Sequence, residues 1–265
     1  MKLAIAGKGG VGKTTLVSLL AKIYSDEGKQ VIAIDADPDA NLASALGIPP
    51  EKARSITPIA ELDDFIEERT GAKPGGFTTY FKLNPKVDDI PERFSIVKNG
   101  IKLLVMGKVN KGGTGCMCPE SAVLRSLVAH LLLGRSEVVI MDMEAGLEHL
   151  ARGTTKGMDA LIVVVEPGRR SLETAEAVDR LAKDLGIGGC YVVGCKTRGE
   201  ADRAFIRDSL PGFQVLGFID YSPKIAEADR LGVSVFEAAP DAVREARGIK
   251  ERLEQILQDS RGARI

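Results

Sequence analysis

Gly7-Lys8-Gly9-Gly10-Val11-Gly12-Lys13-Thr14 satisfies the pattern G-x-x-x-x-G-K-[ST], and its flanks supply the context that this loop's chemistry needs. Leu3 to Ala6 reads as a buried strand, and Thr14 to Glu27 carries apolar residues at three- and four-residue spacing, as an amphipathic helix does. In a strand–loop–helix turn of this kind, glycines let backbone N–H groups converge on phosphate oxygens, and the helix N-terminus adds positive potential. The backbone of Gly7, Gly9, Gly10, Val11 and Gly12 forms the cradle. Lys13 is placed to neutralise the β and γ phosphates of a nucleotide, the Thr14 hydroxyl to bind Mg²⁺, and Thr15 to donate to an inner phosphate.

Working outward, short β-branched runs alternate with amphipathic stretches. Val31–Asp35, Glu137–Asp142, Ala160–Glu166, Tyr191–Val193 and Val215–Ile219 read as strands; Pro119–Leu133, Ser171–Leu185 and Asp241–Gln258 read as helices. The alternation predicts an α/β fold: a mainly parallel, doubly wound nucleotide-binding sheet with helices on both faces. One antiparallel hairpin is expected, because Phe94–Lys98 and Ile101–Met106 flank Asn99-Gly100, the dipeptide suited to a type I′ turn. From Thr70 to Pro91 the chain is rich in Gly, Pro, Lys and Asp without periodicity and reads as an irregular surface excursion. Residues 1–265 are expected to form one domain.

Composition narrows the partners. In 265 residues, 36 Lys and Arg face 37 Asp and Glu, a net charge of -1, so no basic surplus exists to neutralise the many phosphates of a nucleic acid. The longest apolar runs fall far short of the roughly 20 residues a membrane span needs. With a Gly-rich loop directly after the first strand in place of a leader, a cytoplasmic protein without nucleic-acid or membrane partners is expected. The four cysteines are too sparse for a disulfide scaffold, which makes their spacing informative.

Lys8 has no role in the generic loop, and its place after Gly7 resembles the deviant Walker A motif of the family that contains MinD, ParA and the nitrogenase iron protein. That resemblance implies a homodimer glued by ATP, with Lys8 reaching the partner's nucleotide. Asp35-Ala36-Asp37-Pro38-Asp39 looks like the family's switch I, with Asp37 as the residue that orients the attacking water and Asp39 as a second candidate. Either could instead cap the following helix. Val138–Asp142 followed by Gly146 looks like Walker B and switch II, presenting Asp142 to Mg²⁺, a hard cation that prefers carboxylate oxygen. Glu144, Glu148 and His149 follow closely and read as solvated loop residues. Where the family commonly carries an Asn-Lys pair for the base, this chain has Cys195-Lys196, and a cysteine cannot present both the donor and the acceptor of an amide. Asp220 likewise stands where the family's Ile-Pro-Tyr-Asp element has proline.

Cys116-Met117-Cys118 precedes Pro119, which suits the first position of a helix and places Cys118 at its N-cap. A thiol there feels the positive helix end, which is expected to favour the thiolate. Two sulfurs are too few for a thiolate site, and a two-fold dimer would bring two pairs together into an S₄ set. Tetrahedral S₄ suits Zn²⁺ or an iron–sulfur cluster, and a planar set suits Ni²⁺. Cys190 and Cys195 read as packed residues at the two ends of a strand, with no disulfide between them. The phosphate loop, Lys111-Gly112-Gly113, the C-x-C and Asp142 to Leu150 together resemble the CooC and AcsF nickel-insertion ATPases, the whole chain leaning to AcsF. The resemblance implies Mg²⁺-dependent ATP hydrolysis, Ni²⁺ (or Zn²⁺) on Cys116 and Cys118, and carbon monoxide dehydrogenase or acetyl-CoA synthase as client. An ATP-dependent iron–sulfur carrier is the alternative. A membrane-organising ATPase is disfavoured, because Val243, Ala246, Ile249, Leu253, Ile256 and Leu257 of the last helix face a polar side of mixed charge.

Overall fold

The computed structural model describes residues 1–37, 39–75, 80–108, 118–134, 136–145 and 157–262. The strands are β1 (Lys2–Ala6), β2 (Val31–Asp35), β3 (Ile96–Lys98), β4 (Ile101–Val105), β5 (Val138–Asp142), β6 (Ala160–Val165), β7 (Cys190–Thr197) and β8 (Gln214–Asp220). The helices are α1 (Lys13–Asp26), α2 (Leu42–Ala45), α3 (Pro50–Arg54), α4 (Asp63–Thr70), α5 (Ile90–Phe94), α6 (Pro119–Leu133), α7 (Arg169–Leu185), α8 (Glu200–Ser209), α9 (Pro223–Leu231), α10 (Val235–Ala238) and α11 (Pro240–Gly262).

These strands form one sheet in the order β3-β4-β2-β5-β1-β6-β7-β8. Only the β3–β4 pair is antiparallel. The central strands β1, β2, β5 and β6 are buried along their whole length, as expected where helices cover both faces of a parallel sheet. One apolar layer joins α1 and α11 to one face, and a second joins α6 and α7 to the other. The apolar residues of α11 lie in the first layer, packed on β8 and α1, so the face that a membrane helix would expose is occupied within the fold. Among the described residues no helix is long and apolar enough to cross a membrane.

Asn99 and Gly100 both adopt positive φ, 50° and 78°, as the type I′ turn requires. Two sequence-based expectations are corrected by the fold. Phe94 does not begin the hairpin; it ends α5 and packs edge-on against Phe65, with ring centroids 5.0 Å apart. Strand β7 runs past Cys195 to Thr197, with a break in register between Cys195 and Thr197 and a left-handed Lys196 at φ 59°, the signature of a bulge. The excursion expected from Thr70 to Pro91 is shorter than its bounds, because Thr70 ends α4 and Ile90 and Pro91 open α5; the described residues between carry no regular element, yet Val87 and Ile90 are buried in the second layer.

Parallel register brings the acidic strand ends together. Asp35 at the end of β2 pairs with Asp142 at the end of β5, and Asp142 also pairs with Ile5 of β1. Two carboxylates and the phosphate loop thus emerge side by side at the carboxyl edge of the sheet, where open α/β folds bind ligands.

Candidate functional site

The loop after β1 is fitted to its surroundings at the backbone. Gly7 has φ 149°, and a Cβ there would lie 2.5 Å from the Val164 carbonyl oxygen of β6, so only glycine fits. Gly12, at φ 109°, is the N-cap of α1, and Val11 is fully buried beneath the turn. The cleft above the loop has a volume of about 550 Å³, and Thr14, Thr15, Asp37, Glu144, Lys196 and Tyr221 are among its walls.

Lys13 is only 5% exposed. Its Nζ donates to the Lys8 carbonyl at 3.2 Å and lies 3.5 Å from Asp37 Oδ2. The lysine therefore lies along the cradle with the Asp37 carboxylate as its counter-ion. Lys8 is exposed.

Thr14 Oγ1 donates to Asp142 Oδ2 at 2.6 Å, while Asp142 Oδ1 is buried without a hydrogen-bond partner. Burial, together with the nearby charges of Asp35 and Asp37, pushes Asp142 up to about 7 against the opposing pull of Thr14 and Lys13. A hydroxyl and a buried carboxylate with one oxygen unfilled make a hard-oxygen pair that fits Mg²⁺.

Asp35 is the residue that sequence reasoning missed. It is 1% exposed, and burial pushes it up to about 6, opposed by the backbone N–H groups that bond it. Its Oδ2 accepts from Leu42 N–H at 2.9 Å and its Oδ1 from Asp37 N–H at 3.3 Å. It thereby performs the capping considered for Asp37 and Asp39, tying the start of α2 to the end of β2. Asp37 instead accepts from Asp39 N–H at 2.9 Å, and exposed Asp39 lies 3.4 Å from Lys108. The available sequence signal was an acidic residue two positions before Asp37, at a strand end.

At the far end of the cleft, Cys195 is buried with its Sγ 3.5 Å from where a Gly12 Cβ would be, and burial pushes its thiol up to about 12. The β7 bulge turns the Lys196 ammonium onto the Gly10 carbonyl, so this lysine is a second one, with Lys13, bonded to a carbonyl of the phosphate loop. Asp220 accepts from Thr197 Oγ1 and from Arg203, each held at one carboxylate oxygen. Its N–H donates to Glu245 Oε2 at 3.1 Å. A proline at this position would lack that donor, which accounts for the departure seen in the sequence.

Of the cysteine pair, Cys116 lies outside the described residues, as do Glu148 and His149. Cys118 is the N-cap of α6, as expected, and its thiol donates to Ser121 Oγ at 3.1 Å. The expectation of a favoured thiolate is not met in the metal-free chain. Burial holds the Cys118 thiol above its usual range and the Glu120 carboxylate adds to this, outweighing the Ser121 contacts. Cys190 and Cys195 are free thiols. Among the described residues, no three His, Cys, Asp or Glu side chains are grouped to hold a metal ion.

Residues 2–235 match the family model of the CobQ/CobB/MinD/ParA nucleotide-binding domain. The chain belongs to this family. It is 50% identical over 240 residues to the carbon monoxide dehydrogenase accessory protein CooC of Rhodospirillum rubrum, covering 91% of each chain. It is 46% identical to an uncharacterized ATP-binding protein of Methanocaldococcus jannaschii, over 88% of this chain and 90% of that one. In fold it is similar to the MinD cell division protein of Aquifex aeolicus, with a TM-score of 0.67 and 20% identity over 96% and 97% of the two chains. Family membership and the likeness to CooC make the chain a P-loop ATPase of the CooC/AcsF type, the identity suggested by Lys8 and the C-x-C.

Proposed function

We propose that this ATPase is a homodimeric nickel carrier that uses Mg²⁺-ATP to load nickel into carbon monoxide dehydrogenase or, by the same chemistry, acetyl-CoA synthase. The observation that carries the reading is the 50% identity, over nearly the full length of both chains, to a carbon monoxide dehydrogenase accessory protein. The named relative makes carbon monoxide dehydrogenase the client to test first.

In this reading the backbone of Gly7 to Gly12 cradles the phosphates, and Thr15 donates to an inner one. Lys13 and the Lys8 of the opposing protomer stabilise the charge on the transferred phosphoryl group. Asp37, released from Lys13 when the phosphates take that ammonium, orients the attacking water. Cys195 and Lys196 flank the base. Thr14 and Asp142 would hold Mg²⁺, which when bound would neutralise the negative charge of the phosphates. Cys116 and Cys118 carry nickel as cargo, or Zn²⁺ in its place, through a four-sulfur set completed by the second protomer. Dimer closure on ATP and opening on hydrolysis would then make and break the cargo site in each cycle.

The test is size-exclusion chromatography with metal analysis on anaerobic, reduced protein in apo, ADP and ATP states, with Cys116→Ser and Cys118→Ser alongside. One Ni²⁺ or Zn²⁺ per dimer, abolished by both substitutions, is expected. ATP binding without metal uptake would sink the nickel reading.

A further inference from the structure

A second cavity, of about 640 Å³, opens between α6 and residues 83–88, and every residue that walls it is described. Its wall on α6 is the stripe Arg125, Ser126, Ala129 and His130, spaced to share one side of a helix, while Leu127, Val128 and Leu131 are buried in the second apolar layer. None of these walls lines the cleft above the phosphate loop. Two polar groups here are unspent. His130 Nε2 is buried without a hydrogen-bond partner, which costs free energy until a partner meets it. Arg125 donates from Nε to the Ser121 carbonyl at 3.2 Å, and among the described residues no carboxylate pairs with its guanidinium. The other wall carries the apolar side chains of Leu83, Pro85 and Val87, with Leu83 half exposed. On that same segment Lys86 and Asp88 pair with each other at 3.6 Å.

We propose that this cavity binds a small organic monocarboxylate with an apolar body, its head group on Arg125 and His130 and its body against Leu83, Pro85, Val87 and Ala129. The site does not depend on the nickel-carrier reading. A guanidinium presents parallel donors that match the two oxygens of a carboxylate, and the His130 ring adds one more donor in the tautomer with its proton on Nε2. The charge count selects the head group. With Lys86 and Asp88 offsetting each other, Arg125 remains as one net cation, which matches a monoanion. A phosphate dianion would bring a second, uncompensated charge towards Asp88. The volume lies within the roughly 300–1,000 Å³ of small-molecule sites, which likewise combine apolar walls with a few polar groups.

The probe is naphthoate, added to the full-length protein with Mg²⁺-ADP in excess to fill the nucleotide cleft. The chain has no tryptophan, so the fluorescence of the probe reads its binding without interference from indole. One saturable site is expected. Naphthol, with the same body and no carboxylate, and naphthyl phosphate, a dianion at about pH 8, should each bind about tenfold or more weakly, the worth of a charge-assisted hydrogen bond. Arg125→Gln should weaken naphthoate by a similar factor and leave naphthol unchanged, whereas Ala129→Phe, which fills the cavity, should remove both. Naphthoate should also shift the His130 ring-nitrogen resonance, assigned with His130→Gln in a chain of two histidines.

No saturable site for naphthoate up to about 5 mM, where even weak specific binding shows, overturns the proposal. So does binding that Arg125→Gln leaves at wild-type strength, since the carboxylate is then held elsewhere. Tighter binding of naphthyl phosphate than of naphthoate overturns the choice of a monocarboxylate. Should Ala129→Phe not fold, the His130 resonance takes its place: saturation with that resonance unmoved puts the probe outside the cavity and overturns the assignment.

Discussion

At the scale of single residues, Asp35 and Asp142 sit side by side across β2 and β5, both buried and both pushed up, to about 6 and about 7. A carboxyl group that holds its proton more tightly in the folded state than in the unfolded one stabilises the fold when protonated. That contribution is lost as pH rises from the unfolded value through the folded one. For Asp35 the window runs from its ordinary value of 3.8 to about 6, equivalent to roughly 3 kcal/mol at about 1.4 kcal/mol per unit. Asp35→Asn should therefore flatten the decline in metal-free stability between about pH 4 and pH 6. Urea unfolding across that range would show it, and an unchanged slope would remove Asp35 as its source. If Asp142 holds Mg²⁺ as proposed, a proton on Asp142 would compete with the metal. With the group near 7, the nucleotide-free protein should bind Mg²⁺ about tenfold more weakly near pH 6 than near pH 8, levelling off above. Mg²⁺ titration by calorimetry checks this, and Asp142→Asn should abolish both the binding and its pH dependence.

At the scale of elements, two predictions separate turn chemistry from packing. Gly100 has φ 78°, and a Cβ there would lie 2.7 Å from Ser25 Oγ, which already donates to the Asn99 carbonyl. Gly100→Ala should cost about 1–2 kcal/mol, the penalty of a left-handed side chain, and a denaturation midpoint equal to the wild type would contradict the turn's role. Leu253 of α11 is buried against β8 and α1. Leu253→Ala should cost roughly 2–5 kcal/mol, as for other buried leucines, without changing affinity for vesicles. The same elements show what the sequence made legible. Pro119–Leu133 and Val31–Asp35 match their expected bounds because an N-terminal proline and an apolar β-branched run are local signals. Helices α8 and α9 each bury a single residue, Ile206 and Ala228, and span only ten and nine residues rich in charge, too short a window for a packed helix to stand out from sequence. The loop lysines, Thr14 and Asp142 could be read from a motif. Asp35 offered only its place at a strand end two residues before Asp37, since its importance comes from burial and from bonds to Asp37 and Leu42, which the assembled sheet creates.

At the scale of the whole molecule, one lysine would link the proposed nucleotide site to Asp37. The Lys13 ammonium is 3.5 Å from Asp37 in the nucleotide-free chain, and it cannot neutralise that carboxylate and the β and γ phosphates with equal strength at once. In the proposed reading, ATP binding would draw Lys13 away and leave Asp37 free to face the attacking water, so that filling the loop would arm the switch. Asp37→Ala removes the competing carboxylate as well as the water's partner. It should bind ATP at least as tightly as the wild type while turnover falls by about 10²–10⁴, the range for loss of a proton-handling group. Because hydrolysis is what opens the proposed dimer, this variant should elute as a long-lived dimer in ATP. After gel filtration removes free ATP while the trapped nucleotide stays bound, it should keep its bound Ni²⁺ through exchanges that strip the wild type. Turnover at the wild-type rate would take Asp37 out of the chemistry. A monomer in saturating ATP, with turnover lost, would instead leave the hydrolytic role intact and break the link from nucleotide to dimer on which cargo exchange depends.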